Sequence, residues 1–296
     1  MLVLDSITRR FGDRLALDDV SLSVPDGRMV GFVGANGAGK TTTMRIALGV
    51  LAADSGTVTF RGQVPDLALR RRFGYMPEER GLYPKGRILE QLVFLARLHG
   101  VDRGVATERG QDLLDRLGLG DRSGDKLESL SLGNQQRVQV AASLVHDPEL
   151  LVLDEPFSGL DPLAVDAMAE LLREKTAAGV GVLFSSHQLD LVDRLCDELV
   201  ILHGGRVVAS GEPDKLRRAR GGSRYELVAD ADLDWVRDIA GVRLVDRRAG
   251  GVVLELPDGA GDLDQKILAE ALRRGPVRAF GPVLPTLSEL FQEVSR

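Results

Sequence analysis

Cysteine is nearly absent, since the 296-residue chain has only Cys196. A lone thiol cannot close an intramolecular disulfide, which fits a reducing compartment and leaves stability to the core. Cys196 lies in the apolar-patterned run 191–199 and reads as a buried core thiol rather than a reactive one. Long hydrophobic runs are also missing. A membrane span needs about 18 consecutive apolar residues, and runs such as 92–98 reach about a third of that and contain Arg97. The opening Met1-Leu2-Val3-Leu4-Asp5 has no basic stretch before a long apolar one, so no signal peptide is expected. Positive charge is in deficit: 38 Lys and Arg against 44 Asp and Glu leave a net charge of −6, the wrong sign for a chain whose main partner is a nucleic acid. No internal repeat and no heptad run is visible. What is present is the composition of a globular protein, 44% hydrophobic and 28% charged, at a length suited to a large domain plus a small one.

Residues 2–7 and 15–24 alternate with period two and predict antiparallel strands joined by a turn at Gly12-Asp13. A short apolar strand follows at 28–33, then the glycine-rich run 34–39, a helix over 41–48 ending at Gly49, a strand at 57–60 and a short helix at 67–72. From about 88 to 145 the spacing is helical. Ile88, Leu89, Leu92, Val93, Leu95 and Ala96 share one face, and Leu113, Leu114 and Leu117 another. Residues 150–153 and 180–184 are continuous apolar runs of the kind buried in parallel sheets, with helices predicted at 164–175 and 189–197. The basic, glycine-containing stretch 217–223 reads as a linker. Beyond it, strands at 225–229, 242–246, 252–256 and 277–280, with helices at 232–239, 263–272 and 287–294, suggest a small α+β sandwich.

Gly34-Ala35-Asn36-Gly37-Ala38-Gly39-Lys40-Thr41 fits G-x-x-x-x-G-K-[ST], between a buried strand and the start of a helix. Glycines let successive N–H groups curl toward phosphate oxygens, and the helix N-terminus adds partial positive charge. Lys40 suits the β- and γ-phosphates of a nucleotide, and the Thr41 hydroxyl suits Mg²⁺. The apolar strand 150–153 ends in Asp154-Glu155, at the sheet end where a phosphate loop also lies. Asp154 is a candidate metal ligand and Glu155 a candidate base for the attacking water. His187 follows the strand 180–184 through Ser185-Ser186 and is a candidate γ-phosphate reporter. His99, His146 and His203 have no comparable setting and read as surface or satisfied loop histidines.

Leu130-Ser131-Leu132-Gly133-Asn134-Gln135-Gln136-Arg137 closely resembles the L-S-G-G-Q signature of ABC transporter nucleotide-binding subunits, and falls before the acidic strand as in that family. Phe157-Ser158-Gly159-Leu160-Asp161 resembles the family's D-loop and Ser185-Ser186-His187 its switch region. The resemblance covers about residues 1–218. It implies an α/β P-loop NTPase fold of the ABC ATPase kind, with a β-rich subdomain, a RecA-like core and a helical subdomain at about 85–145. A small α+β domain would occupy 219–296. It further implies an ATPase with ATP and Mg²⁺ as cofactors, catalytic Glu155 and His187, and metal contacts from Thr41, Asp154 and Glu78. The implied nucleotide contacts are Phe11 against adenine, Gly34 to Thr42 (Gly34, Ala35, Asn36, Gly37, Ala38, Gly39, Lys40, Thr41, Thr42), and Ser131, Gly133 and Asn134 across a dimer. Ser131 is also a good N-cap for the helix beginning near Gly133.

Two departures stand out. Leu132 and Asn134 replace the first glycine and the glutamine of the signature, and Glu78 stands where most members have the Q-loop glutamine. Both resemble the NatA branch of ABC-2 type exporters, as does the ending Pro285-Thr286-Leu287-Ser288-Glu289-Leu290-Phe291. The implied partners are a second ATPase chain, identical or related, and a separate membrane permease, at the inner face of the cell membrane. The implied cargo is Na⁺ or a drug-like compound. For Glu78 the alternative is a solvent-facing side chain, with Glu79 or Arg80 touching the partner. A ribosome- or nucleic-acid-associated ATPase is the competing class. One phosphate loop, no coiled coil and an acidic balance argue against it, and Arg70-Arg71-Arg72 reads as a solvated helix face. The tail has no metal-spaced Cys or His and no glycine-rich ligand loop, so it reads as a stabilising or dimerising unit.

Overall fold

The computed structural model describes residues 1–79, 81–220, 223–248, 250–257 and 261–294; Arg80 and the Gly221-Gly222 part of the expected linker lie outside them. The chain divides into two compact units, Met1–Glu212 and Pro213–Arg296.

In the first unit β1 (Leu2–Phe11) and β2 (Arg14–Val24) form a hairpin, followed by β3 (Met29–Val33), α1 (Lys40–Ala47) and β4 (Ser55–Phe60). α2 (Leu67–Arg70) and β5 (Phe73–Met76) lead into the helical region of α3 (Ile88–Leu98), α4 (Arg103–Arg116) and α5 (Leu132–Leu144). Then come β6 (Leu150–Leu153), α6 (Pro162–Ala177), β7 (Gly181–Ser186), α7 (Leu189–Leu195), β8 (Glu198–His203) and β9 (Arg206–Gly211). The antiparallel sheet runs β2-β1-β4, and a six-stranded sheet runs β5-β6-β7-β3-β8-β9, parallel except for edge strand β9. β3, β6 and β7 are buried at every position, which explains their continuous apolar runs where β1 and β2 alternate. One core joins the sheets, with Leu2, Leu4 and Leu22 packed in a cluster with Val30, Phe32, Val152 and Met44. Each such side chain contributes about 1.5–3 kcal/mol by leaving water. No helix among the described residues is long and apolar enough to cross a membrane.

Sequence reading missed β5, β8 and β9. It also carried the helix of 189–197 too far, because Cys196 turns extended (ψ 139°) and ends α7 at Leu195. Cys196 is half-buried, and burial pushes its thiol well above the usual range, so the inert reading stands.

In the second unit α8 (Pro213–Arg220) takes up the basic residues Arg217–Arg220 that were expected to be linker. Pro213 opens it, where a missing N–H leaves no bond unmade. β10 (Ser223–Ala229), β11 (Arg243–Arg248), β12 (Gly251–Leu256) and β13 (Val277–Pro282) form an antiparallel sheet ordered β11-β12-β10-β13. α9 (Leu263–Arg274) and α10 (Leu287–Val294) complete the unit. Its core is separate, built around Leu227, Val236, Leu254 and Ile267. The helix expected at 232–239 is only a 3-10 turn, Asp234–Asp238, started by the Asp232 side chain accepting from the Asp234 N–H.

Candidate active site

The site forms at the C-terminal ends of neighbouring parallel strands, where an open α/β sheet leaves a crevice. β3 ends at Val33 and releases the loop of Gly34, Ala35, Asn36, Gly37, Ala38 and Gly39 into α1. Gly39 has φ +111°, and a Cβ there would fall 2.5 Å from Leu17 Cδ2 and 3.0 Å from the Ala16 carbonyl oxygen. Only glycine permits both the left-handed backbone and this approach to β2. Lys40 is buried, and its Nζ donates to the Gly34 carbonyl at 2.7 Å and the Ala35 carbonyl at 3.4 Å, spanning the loop.

β6 delivers Asp154 and Glu155, and β7 beside it delivers Ser185, Ser186 and His187. Asp154 is 1% exposed. Its Oδ2 accepts from Thr41 Oγ1 at 2.7 Å and its Oδ1 from Ser185 Oγ at 2.5 Å. Glu155 takes φ +52°, a left-handed backbone that a side-chain-bearing residue adopts at a cost of about 1–3 kcal/mol. Strain of this kind persists only where surroundings enforce it. Here the Glu155 N–H donates to Ser185 Oγ at 2.8 Å, while Gln136 of α5 donates from Nε2 to the Glu155 and Pro156 carbonyls at 2.9 and 3.1 Å. His187 Nδ1 lies 2.9 Å from Glu155 Oε2, which makes Nδ1 the protonated nitrogen and leaves Nε2 free to meet a ligand.

The phosphate loop, Asp154 and Glu155 border a cleft of about 590 Å³, and His187 stands outside its lining. Asn36, Gly37, Gly39, Lys40, Thr41 and Thr42 form one wall, Asp154 and Glu155 another, and Glu78, Phe11, Arg14 and Ala16 complete the lining. Glu78 arrives because β5 pairs with β6 in a register that puts Met76 opposite Leu153, so the chain leaves the sheet beside the acidic pair. Its carboxylate is exposed within the lining. Phe11, at the tip of the β1–β2 hairpin, is 48% exposed and has the Arg9 guanidinium 4.9 Å from its ring centroid. Sequence reading missed Arg14 and Ala16 of the lining. Arg14 donates from Nη2 to the Gly37 carbonyl at 3.3 Å, and its only advance signal was its place at the hairpin turn.

Ser131, Gly133 and Asn134 do not line this cleft. Ser131 caps α5, its Oγ accepting from the Asn134 N–H at 3.4 Å, and Leu132 beside it is 63% exposed. Arg137 donates to the Leu117 carbonyl and to Asp161, fastening α5 to the loop after β6.

The donor set suits a small hard cation. Among the described residues no cluster of three or more His, Cys, Asp or Glu could cage a metal. A threonine hydroxyl whose proton is taken by a buried carboxylate keeps its lone pairs for a metal, as Mg²⁺ requires when phosphate and water oxygens supply its other positions.

The pattern of the family described as "ABC transporter" matches residues 17–158. That of the "ATP-binding protein DrrA1-3-like, C-terminal domain" matches residues 211–295. The uncharacterized ABC transporter ATP-binding protein YhaQ of Bacillus subtilis is 39% identical, over 99% of this chain and 98% of its own. The Nod factor export ATP-binding protein I of Cupriavidus pinatubonensis is 35% identical over 80% of this chain and 74% of its own. A solved structure of an ATP-binding subunit of an ABC transporter superposes with a TM-score of 0.70 at 35% identity, covering 75% of this chain and 93% of that one. The chain therefore belongs to the ABC transporter ATP-binding family, whose ATPases energise transport, and carries a DrrA-like C-terminal unit.

Proposed function

We propose that this chain hydrolyses ATP with Mg²⁺ to drive export through a separate membrane permease, working as a dimer at the inner face of the cell membrane. The convergence of the phosphate loop, Asp154, Glu155 and His187 at one sheet end carries the reading. Loop N–H groups and Lys40 bind the phosphates, and Phe11 offers a face to adenine. Thr41 and Asp154, with Glu78 at the rim, would hold Mg²⁺, which would supply positive charge against the phosphates. Glu155 orients the attacking water and accepts its proton, while His187 steadies the Glu155 carboxylate and faces the γ-phosphate. The position of Ser131, Gly133 and Asn134 outside their own chain's cleft supports a site completed by a second subunit, identical or related. Leu132, Asn134 and Glu78 support the NatA-like branch, and with it Na⁺ or a drug-like cargo.

Complementation tests the split site. Ser131→Arg should abolish hydrolysis with ATP affinity nearly intact, because the phosphate loop is untouched. Lys40→Ala should abolish it by losing phosphate contacts. Mixing the two should restore roughly one working site per mixed dimer, since each chain supplies what the other lacks. No recovery between folded, dimerising chains would mean that each site is self-contained.

A further inference from the structure

Ser185 has no part in the roles assigned above, yet it is 0% exposed and sits between two of the principal side chains. Its hydroxyl donates to Asp154 Oδ1 at 2.5 Å and accepts the Glu155 N–H at 2.8 Å. A serine hydroxyl has one proton, so accepting from the amide and donating to the carboxylate together fix its orientation. Ser186, next in the chain, is turned to a different task and accepts from the Gln188 N–H.

We infer that Ser185 is a positioning residue that couples the placement of Asp154 to that of Glu155, an inference resting on the site reading proposed above. Two observations support it. Asp154 accepts one hydroxyl on each oxygen, Thr41 on one and Ser185 on the other, so the carboxylate plane cannot rotate without breaking a bond. Glu155 has left the β6 ladder, which ends at Leu153, and stands at φ +52° with its N–H pointing at Ser185. An alanine at 185 would leave that N–H without its acceptor and free one edge of the Asp154 carboxylate at once. The strained Glu155 backbone would then relax, and the base would move away from the water it must orient. A displacement near 1 Å lowers turnover without weakening nucleotide binding. Phosphate contacts come from the loop after β3 and from α1, and the Ser185 hydroxyl bonds to neither; Ser185 meets β3 through the backbone ladder, opposite Phe32.

The test compares Ser185→Ala and Ser185→Thr with wild type, using Lys40→Ala and Glu155→Gln as site controls. For Ser185→Ala the expected result is a kcat lower by about 10- to 100-fold with KM for ATP within about twofold, and a Mg²⁺ half-saturation raised about tenfold. In protein free of nucleotide and metal, amide exchange at Glu155 should accelerate at least about tenfold. Ser185→Thr, which keeps the hydroxyl, should recover most of the kcat and the slow exchange. If its extra methyl disrupts folding, seen as a lost melting transition, the alanine exchange rate and the split between kcat and KM decide alone. Wild-type kcat and unchanged Glu155 exchange in Ser185→Ala, with both controls inactive, would overturn the inference and leave the site reading standing. Parallel losses of kcat, ATP affinity and melting temperature would also overturn it, reducing Ser185 to packing. Activity in both controls would bring down the site reading itself, and this inference with it.

Discussion

His99 and His146 stack with ring centroids 3.8 Å apart, and each also meets a carbonyl, His99 Nδ1 that of Arg71 and His146 Nε2 that of Phe73. Both are satisfied, as expected of them, but by stacking on each other and by carbonyls at the end of α2 and the start of β5 rather than in separate loops. Burial first, and the neighbouring His99 second, push His146 down to about 4; the Phe73 carbonyl and Asp147 pull the other way, and Arg109 adds to the lowering. Above pH 6.5 neither folded nor unfolded chain holds this proton, so His146 contributes nothing to pH dependence. Between about 6.5 and 4 only the unfolded chain binds it, and stability falls as pH falls; below about 4 the loss is complete. The full shift corresponds to about 3 kcal/mol, which solvent screening at a partly exposed ring reduces to about 2. His146→Gln can still donate to Phe73 but cannot charge. Its urea midpoint should therefore fall less than that of wild type between pH 7 and 4.5, and parallel pH curves would remove His146 as the cause. At this scale the motif spacing was legible in the sequence: Lys40, Thr41, Asp154 and Glu155 line one cleft, and His187 bonds to Glu155 from outside that lining. Ser185 and Gln136 were quoted but given no role, because their partners depend on which strand and which helix become neighbours, and no spacing encodes that.

Helix α5 joins two parts of the site through its first turns. Gln136 supports the backbone of Glu155, and Gly133 lies so close to the D-loop that a Cβ would fall 2.9 Å from the Gly159 carbonyl oxygen. Glycine to alanine in a helix ordinarily stabilises by up to about 1 kcal/mol. Here a backbone oxygen would have to move, and overpacking of that kind costs about 1–3 kcal/mol. Gly133→Ala should thus be net destabilising by about 1–2 kcal/mol and lower turnover. Gly124→Ala, where nothing lies within 4 Å of the added carbon, should be close to neutral. Denaturation midpoints of the two variants decide, and a stabilised Gly133→Ala would show that the loop yields freely. Element type followed period wherever runs were long, as in β1, β2, α3 and α6. β5 was missed because Phe-Gly-Tyr-Met is short, contains glycine and follows three arginines. Leu199, assigned to one run with α7, belongs to β8, since short apolar runs do not separate a buried helix from a buried strand.

The two units keep separate hydrophobic clusters, Leu4, Phe32 and Val152 in one and Leu227, Leu254 and Ile267 in the other. Residues 1–212 expressed alone should melt cooperatively and bind ATP within about threefold of the full chain, since units with their own cores fold independently. Calorimetry with a fluorescent nucleotide titration checks this; an aggregated or nucleotide-blind fragment would show that the second unit is needed for folding. The strand order has a consequence for synthesis. β3, which leads into the phosphate loop, pairs only with β7 and β8, and both are translated after the whole helical region. From Val33 until Gly181 leaves the ribosome, the nascent chain carries this apolar strand with both edges unpaired. Such a segment invites the wrong partner, including the same strand of a neighbouring nascent chain. A codon-level pause or a chaperone encounter should therefore matter most while residues 40–180 are being translated, before β7 closes the sheet.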